Sequence, residues 1–246
     1  MTDKFDIFDG PLWLREDDNS TPFPPAGSAL SDPNGLLAIG GSLTVERLLM
    51  AYKNGIFPWY NHDQPIMWWA PDPRTVLYTD ELKIARSLRK TIRKNIFSVS
   101  FDRCFRDVMQ ACAAPRKDDN STWIHHAMLD AYCRLHDLGY AHSVEVWHEN
   151  KLVGGLYGVA IGRMYYGESM FSLVSDASKV GFAFLIRQLQ SWGFTLVDCQ
   201  IHTAHLQSLG ARIIPRERFL SDIREYQQQQ PVDSPWQLQL TRDDIL

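Results

Sequence analysis

The run His142-Ser-Val-Glu-Val-Trp147, Leu152-Val-Gly-Gly-Leu-Tyr-Gly-Val-Ala-Ile161 and Met164-Tyr-Tyr-Gly-Glu-Ser-Met170, followed by the apolar stretch Asp176 to Trp192, sets the fold class. Its first three segments are rich in β-branched and aromatic residues. They are separated by Glu149-Asn150 and Gly162-Arg163, turn pairs short enough for hairpins, and so predict a strand meander. Asp176 to Trp192 predicts a helix stopped by Gly193. Working backwards, His126 to Leu138 and Phe105 to Ala113 predict helices, the former ended by Gly139. Asn95 to Phe101 alternates as a strand, Asp80 to Lys94 predicts a helix, and Thr75 to Tyr78 a strand. Working forwards, Phe194 to Cys199 predicts a strand and a short helix ends at Gly210. Gln227 to Gln230 reads as a solvated helix end. The expected class is α/β (α+β), a mixed sheet with flanking helices.

Residues 11 to 75 differ in texture, being dominated by Pro, Gly and aromatics, with one short helix from Thr44 to Lys53 ended by Asn54-Gly55. A boundary is expected near Pro71 to Pro73, giving a small N-terminal domain (1–73) and a larger one (74–246). With 246 residues, 45% hydrophobic and 22% charged, the chain can bury a core without disulfides or metal. The four cysteines lack paired spacing, which suits free thiols in a reducing compartment. Met1 to Asp6 has no apolar signal region, and no run approaches the ~18 apolar residues of a membrane span. A cytoplasmic protein without membrane contact is expected.

The net charge of −4 excludes generic polyanion binding by the whole chain. Any nucleic-acid contact therefore needs a local patch, and one lies at Lys83 to Lys94. On a helix, Ile84, Ala85, Leu88 and Ile92 share one side. Lys83, Arg86, Arg89, Lys90, Arg93 and Lys94 take the other, with no acidic residue among them. A merely solvated face remains the alternative, although such helices usually pair opposite charges four residues apart. Phosphate docking needs this kind of segregation.

Aromatics beside such a strip, among them Trp59, Tyr60, Trp68, Trp69 and Trp123, can stack bases or simply weld the two domains. Gly154-Gly155-Leu156-Tyr157-Gly158 places glycine inside a strand, which marks a bulge or a close backbone approach. Glu168 ends an apolar strand beside Tyr165-Tyr166. It requires a partner, either a ligand amine or an Arg in a structural pair. Asp198-Cys199-Gln200 ends another strand, where α/β sites gather. Cys199 admits a thiol-nucleophile reading, but no His stands at a diagnostic spacing. His202-x-x-His205 and His125-His126 lack a third ligand at metal spacing.

The meander followed by a helix resembles the GCN5-related acetyltransferase fold. The turn Ser172 to Ser178, however, has no glycine to cradle a pyrophosphate and adds an Asp, so a different acyl donor is expected. Taken in order, nine segments resemble the leucyl/phenylalanyl-tRNA–protein transferase family. They are Asn34 to Gly41, Ala51 to Tyr60, Trp68 to Arg74, His142 to Trp147, Leu152 to Gly158, Gly167 to Phe171, Ala177 to Lys179, Asp198 to Gln200 and Ser208 to Ala211. Ser42 stands where the family often has Asp, and Ala70 where it often has Ser. The tail after Phe219 matches poorly.

The resemblance implies a GCN5-related core that moves Leu or Phe, sometimes Met, from aminoacyl-tRNA to proteins with N-terminal Arg or Lys, marking them for degradation. Partners would be leucyl-, phenylalanyl- and in some cases methionyl-tRNA, with no cofactor and no metal. It implies that Asp198 and Gln200 assist attack by the acceptor amine and that Glu168 positions the aminoacyl-adenosine end. Trp59 and Trp123 would contact the terminal adenosine. Leu156 and neighbouring apolar residues would line the side-chain pocket, and Gly155, Tyr166 and Ser169 would also bind substrate. The basic strip would hold tRNA phosphates. Competing classes are a Cys199-dependent amidohydrolase and an RNA-binding module without catalysis.

Overall fold

A computed structural model describes residues 10–17, 19–114, 124–232 and 235–246. Four short strands, β1 (Leu12–Leu14), β2 (Leu36–Gly40), β3 (Phe57–Pro58) and β4 (Met67–Trp69), form a small sheet in the order β1-β2-β4-β3. Helix α1 (Val45–Lys53) lies between β2 and β3. Thr44 caps it by accepting from the Arg47 amide, and Gly55 closes it in the left-handed region at φ 72°.

The larger sheet has seven strands: β5 (Arg74–Tyr78), β6 (Ser98–Phe101), β7 (Ala141–His148), β8 (Lys151–Ile161), β9 (Met164–Ser172), β10 (Leu196–Gln200) and β11 (Arg212–Ile214). Their order is β11-β5-β10-β9-β8-β7-β6. The meander β7-β8-β9 is antiparallel, as its sequence predicts. Glu149 and Asn150 both take positive φ (50° and 60°), the conformation that a tight two-residue hairpin demands. β10 enters between β5 and β9, parallel to β9 and antiparallel to β5. The neighbours β5, β10 and β9 are thus far apart in sequence.

Helices α2 (Arg86–Arg93), α3 (Phe105–Ala113), α4 (His126–Asp137), α5 (Ala177–Ser191), α6 (Ala204–Ser208), α7 (Arg216–Tyr226) and α8 (Arg242–Ile245) complete the fold. Alternation along β8 separates two cores. Tyr157 and Val159 join one with α3, α4, α1 and the small sheet, whereas Leu156 joins the other with α2 and α5. Among the described residues, no helix is long and apolar enough to cross a membrane.

Two sequence expectations are corrected and a third is refined. The helix expected over Asp80 to Lys94 is broken: a 3-10 turn spans Thr79–Glu81, and α2 starts only at Arg86. Between them Leu82 and Ile84 are buried while Lys83 is exposed, and the Lys83 amide donates to the Leu209 carbonyl at 2.9 Å. This period of two is that of extended chain, and tertiary pairing overrides the helical spacing of Ile84, Leu88 and Ile92. The strand at Asn95 to Phe101 begins later, at Ser98. The run Gln227 to Gln230 does follow the end of α7 with Gln228 to Gln230 exposed, but Gln227 itself is anchored, its side-chain amide donating to the Tyr52 carbonyl at 3.2 Å and to the Tyr166 hydroxyl.

The tail, unassigned from sequence, packs on the α5 face. Trp236 stacks flat on His142 at 3.6 Å between ring centroids. Gln188 Oε1 accepts from the Gln239 and Leu240 amides.

Candidate active site

The ladder between β9 and β10 ends at Tyr166–Asp198, although both strands continue. Each carries a bulge there. Tyr157 and Gly158 of β8 face Ser169 and Gly167, which makes Glu168 an extra residue in β9. Asp198 and Gln200 face Val76 and Thr75, which makes Cys199 extra in β10. An extra residue breaks alternation and re-aims the side chains around it. Counted back from Met170 on the α5 face, regular alternation would send Glu168 toward α5; the bulge returns it to the face of Tyr166.

There Glu168 meets two tyrosines. Tyr52 lies in the last turn of α1. Tyr132 lies on the buried α4 stripe with Met128, Ala131 and Leu135, at the helical spacing that turns it inward. Tyr52 donates to Glu168 Oε1 at 2.7 Å and Tyr132 to Oε2 at 3.1 Å, and the two hydroxyls also bond each other. Gln200 Nε2 donates to Oε1 at 3.2 Å. Burial raises Glu168 to about 7, the tyrosine donors oppose the rise, and nearby Asp198 adds to it.

Asp198 is buried and fully engaged. Arg74 grips it through two parallel bonds, Nε to Oδ1 at 2.8 Å and Nη2 to Oδ2 at 2.6 Å. Its Oδ1 also accepts the Gln200 amide at 2.9 Å, and Gln200 takes φ 60°, a conformation uncommon for a residue with a Cβ. The Arg74 guanidinium is sandwiched between Phe57 (4.8 Å) and Phe219 (4.6 Å). Asp198 therefore shapes the backbone that presents Gln200.

The predicted residues separate into groups. Glu168, Gln200 and Asp198 come together. Ser169 is half-buried beside Glu168. Tyr166 is buried 5.0 Å from the Tyr52 ring, its hydroxyl taken by Gln227. Leu156 faces α5, the side opposite Glu168. A methyl group on Gly155 would stand 2.7 Å from the Val144 carbonyl oxygen and 3.0 Å from the Phe171 ring, so internal packing already accounts for that glycine. Trp59 is 44% exposed beside Trp69. Trp123 lies outside the described residues.

Of the basic strip, Lys83, Arg86, Lys90, Arg93 and Lys94 are exposed and have no ion-pair partner among the described residues. Arg89 is different: it is half-buried and donates to the backbone oxygens of Ile84 and Leu246. A further polar cluster among the described residues is Asp102, His136 and His142. In it His136 Nδ1 contacts the Ala141 carbonyl at 2.8 Å and His142 Nδ1 contacts Asp102 at 2.7 Å.

Tyr52, Tyr132 and Arg74 are functional candidates that the sequence did not single out. Tyr132 carried a signal, its place on the apolar stripe of α4. The partner that makes it more than core lies 36 residues away.

The family model described as leucyl/phenylalanyl-tRNA protein transferase matches residues 76–224, and its N-terminal-domain model matches residues 41–72. The chain belongs to this family. The leucyl/phenylalanyl-tRNA–protein transferase of Nitrosospira multiformis is 57% identical over 213 residues, covering 87% of this chain and 90% of that one. That of Stutzerimonas stutzeri is 58% identical over 207 residues (84% and 91%). That of Pseudomonas fluorescens is 54% identical over 224 residues (91% and 98%). Among solved structures, L-PGS from Bacillus licheniformis superposes with a TM-score of 0.39 at 10% identity, over 68% of this chain and 53% of that one. Membership of the transferase family makes the chain an aminoacyltransferase.

Proposed function

We propose that this transferase moves leucine or phenylalanine, and sometimes methionine, from aminoacyl-tRNA to the α-amine of proteins with N-terminal Arg or Lys in the cytoplasm, marking them for degradation. An aminoacyl ester is already activated, so forming the amide needs no enzyme nucleophile. It needs an aligned neutral amine, a stabilised oxyanion and a place for one proton. The observation that carries the reading is the meeting of Glu168 and Gln200 where β9 and β10 part. Because Gln200 Nε2 donates to Glu168, its Oε1 is the atom left to accept a hydrogen bond from the incoming amine. Asp198, held by Arg74, positions Gln200.

In the same reading, Trp59 and Trp123 stack on the terminal adenosine, and the transferred side chain crosses between the parted ends of β9 and β10 into an apolar pocket on the α5 face that includes Leu156. The five exposed cations hold backbone phosphate. Residues 1–73 form a small domain beside a GCN5-related core of residues 74–246. The Cys199 amidohydrolase reading is disfavoured, because desolvation first and the Asp198 carboxylate second push its thiol up, away from thiolate chemistry.

The test mixes the protein with leucyl-tRNA and a peptide beginning with Arg. Mass spectrometry should show one added leucine, abolished by ribonuclease. No added mass beside an active control transferase would sink the proposal.

A further inference from the structure

Tyr52, Tyr132 and Glu168 close a ring of oxygens in which each group touches the other two. Tyr52 Oη is 2.7 Å from Glu168 Oε1, Tyr132 Oη is 3.1 Å from Oε2, and the phenol oxygens are hydrogen-bonded to each other. Three hydrogen bonds need three protons, and two phenols supply two. The third can come only from the carboxyl group of Glu168. With Glu168 protonated, its O–H donates to Tyr132, Tyr132 donates to Tyr52, and Tyr52 donates back to Oε1, so every contact is satisfied. With Glu168 ionised, both phenols turn their protons to the carboxylate and the phenol oxygens face each other without one. The ring thus has one complete form with the proton and one open form without it. Burial and the opposing hydrogen bonds balance at about 7 for Glu168, where both forms are populated at neutral pH.

We infer that Glu168 is the group that carries the proton during amide formation, and that Tyr52 and Tyr132 are its positioning residues. This rests on the transfer reading above. The neutral acceptor amine attacks the ester carbonyl, the C–N bond forms, and the nitrogen becomes cationic. The Glu168 carboxylate takes one proton from that nitrogen as its ring closes. It returns the proton to the ribose oxygen as the ester C–O bond breaks, leaving amide, free tRNA hydroxyl and the starting carboxylate. Asp198 is unsuited to this task, since a proton placed on it would leave the buried Arg74 cation without its counter-charge, whereas the hydrogen-bond partners of Glu168 are all neutral.

The experiment measures single-turnover leucine transfer to an Arg-initiated peptide against pH, for the wild type and for Tyr132→Phe, Tyr52→Phe and Glu168→Gln. Thermal midpoints are taken to check folding, and each phenylalanine keeps its ring packing. Removing a phenol donor takes more support from the charged form than from the neutral one. The acid limb of the profile should therefore move up by about one pH unit in each tyrosine variant, with little change in the apparent KM for tRNA. Glu168→Gln should lower the rate by roughly 10²–10⁴ and leave only the limb that follows the acceptor amine. An acid limb unmoved in both tyrosine variants, or a Glu168→Gln enzyme of wild-type rate, overturns the inference. A wild type that transfers nothing overturns the parent reading instead, so the two failures are distinct.

Discussion

Replacing Arg74 with Met should be among the most damaging single changes in this protein, and the structure says by how much. Arg74 is 1% exposed and Asp198 0%, joined by two bonds of 2.8 and 2.6 Å. Met fills much of the volume between the Phe57 and Phe219 rings but leaves Asp198 with the Gln200 amide alone. Breaking a buried pair by deleting one partner costs about 3–5 kcal/mol, mostly as the desolvation of the charge left behind. Domains of this kind hold roughly 5–15 kcal/mol in total. At about 2–4 °C per kcal/mol for a chain of this size, the melting temperature should fall by roughly 6–20 °C.

Urea denaturation of the wild type, Arg74→Met, Asp198→Asn and the double variant completes a cycle. The double variant should be clearly more stable than the sum of the singles implies, because no charge is then buried alone. Arg15, paired with Asp17 at a site where both side chains are more than 70% exposed, provides a control that should show no measurable loss. If Arg74→Met cost less than about 1 kcal/mol and the singles simply added, the pair would not be holding the site. Asp198 as an anchor for Gln200 would then be wrong.

Glu168 should make stability pH-dependent. Its folded value of about 7 lies above the ordinary 4.5, so the stabilising form is the acid. The contribution is fully present below about pH 4.5 and lost as pH rises through 7, on the order of 3 kcal/mol. Glu168→Gln should therefore gain on the wild type between pH 5 and pH 8 in urea titrations; parallel curves would contradict the shift. Cys199→Ala should keep most transfer activity, and a dead but folded variant would revive the thiol-nucleophile reading. Neutralising Arg86 and Lys90 should weaken tRNA binding and lower the log–log salt slope by about 0.9 for each phosphate left without its cation, with the preference for Leu over Ile unchanged. Arg89→Gln should instead lower the melting temperature, because its bonds are to backbone oxygens of the protein itself. An unchanged salt slope after the first pair of substitutions would remove the strip from the tRNA path.

Local chemistry made much of the fold legible. The cap at Thr44, the stop at Gly55, the hairpin at Glu149-Asn150 and the helix before Gly193 are all short-range decisions, settled by residues within a turn of one another. Non-local pairing was not legible. Ile84 continues the four-residue spacing of Leu88 and Ile92, yet Lys83 pairs with Leu209 and the chain there is extended. The site shows the same division. Glu168, Asp198 and Gln200 stood out as polar residues at strand ends. Their partners did not, since Arg74 is 124 residues from Asp198 and Tyr52 is 116 from Glu168. Trp236 could not be placed because the face it covers, His142, belongs to a strand assembled long before it in the chain.

The two bulges separate what this chain needs in order to fold from what it needs in order to work. Without Glu168, the β9 residues Tyr166, Ser169 and Phe171 would occupy one face in unbroken alternation. Without Cys199, Asp198 and Gln200 would follow Val76 and Thr75 in step. Each deletion would yield a more regular sheet. In the first the acid would be missing; in the second Gln200 would turn to the wrong side of the sheet. A chain shortened by one residue at either point could gain order and lose its chemistry, so selection for regular β-structure alone would erase this site.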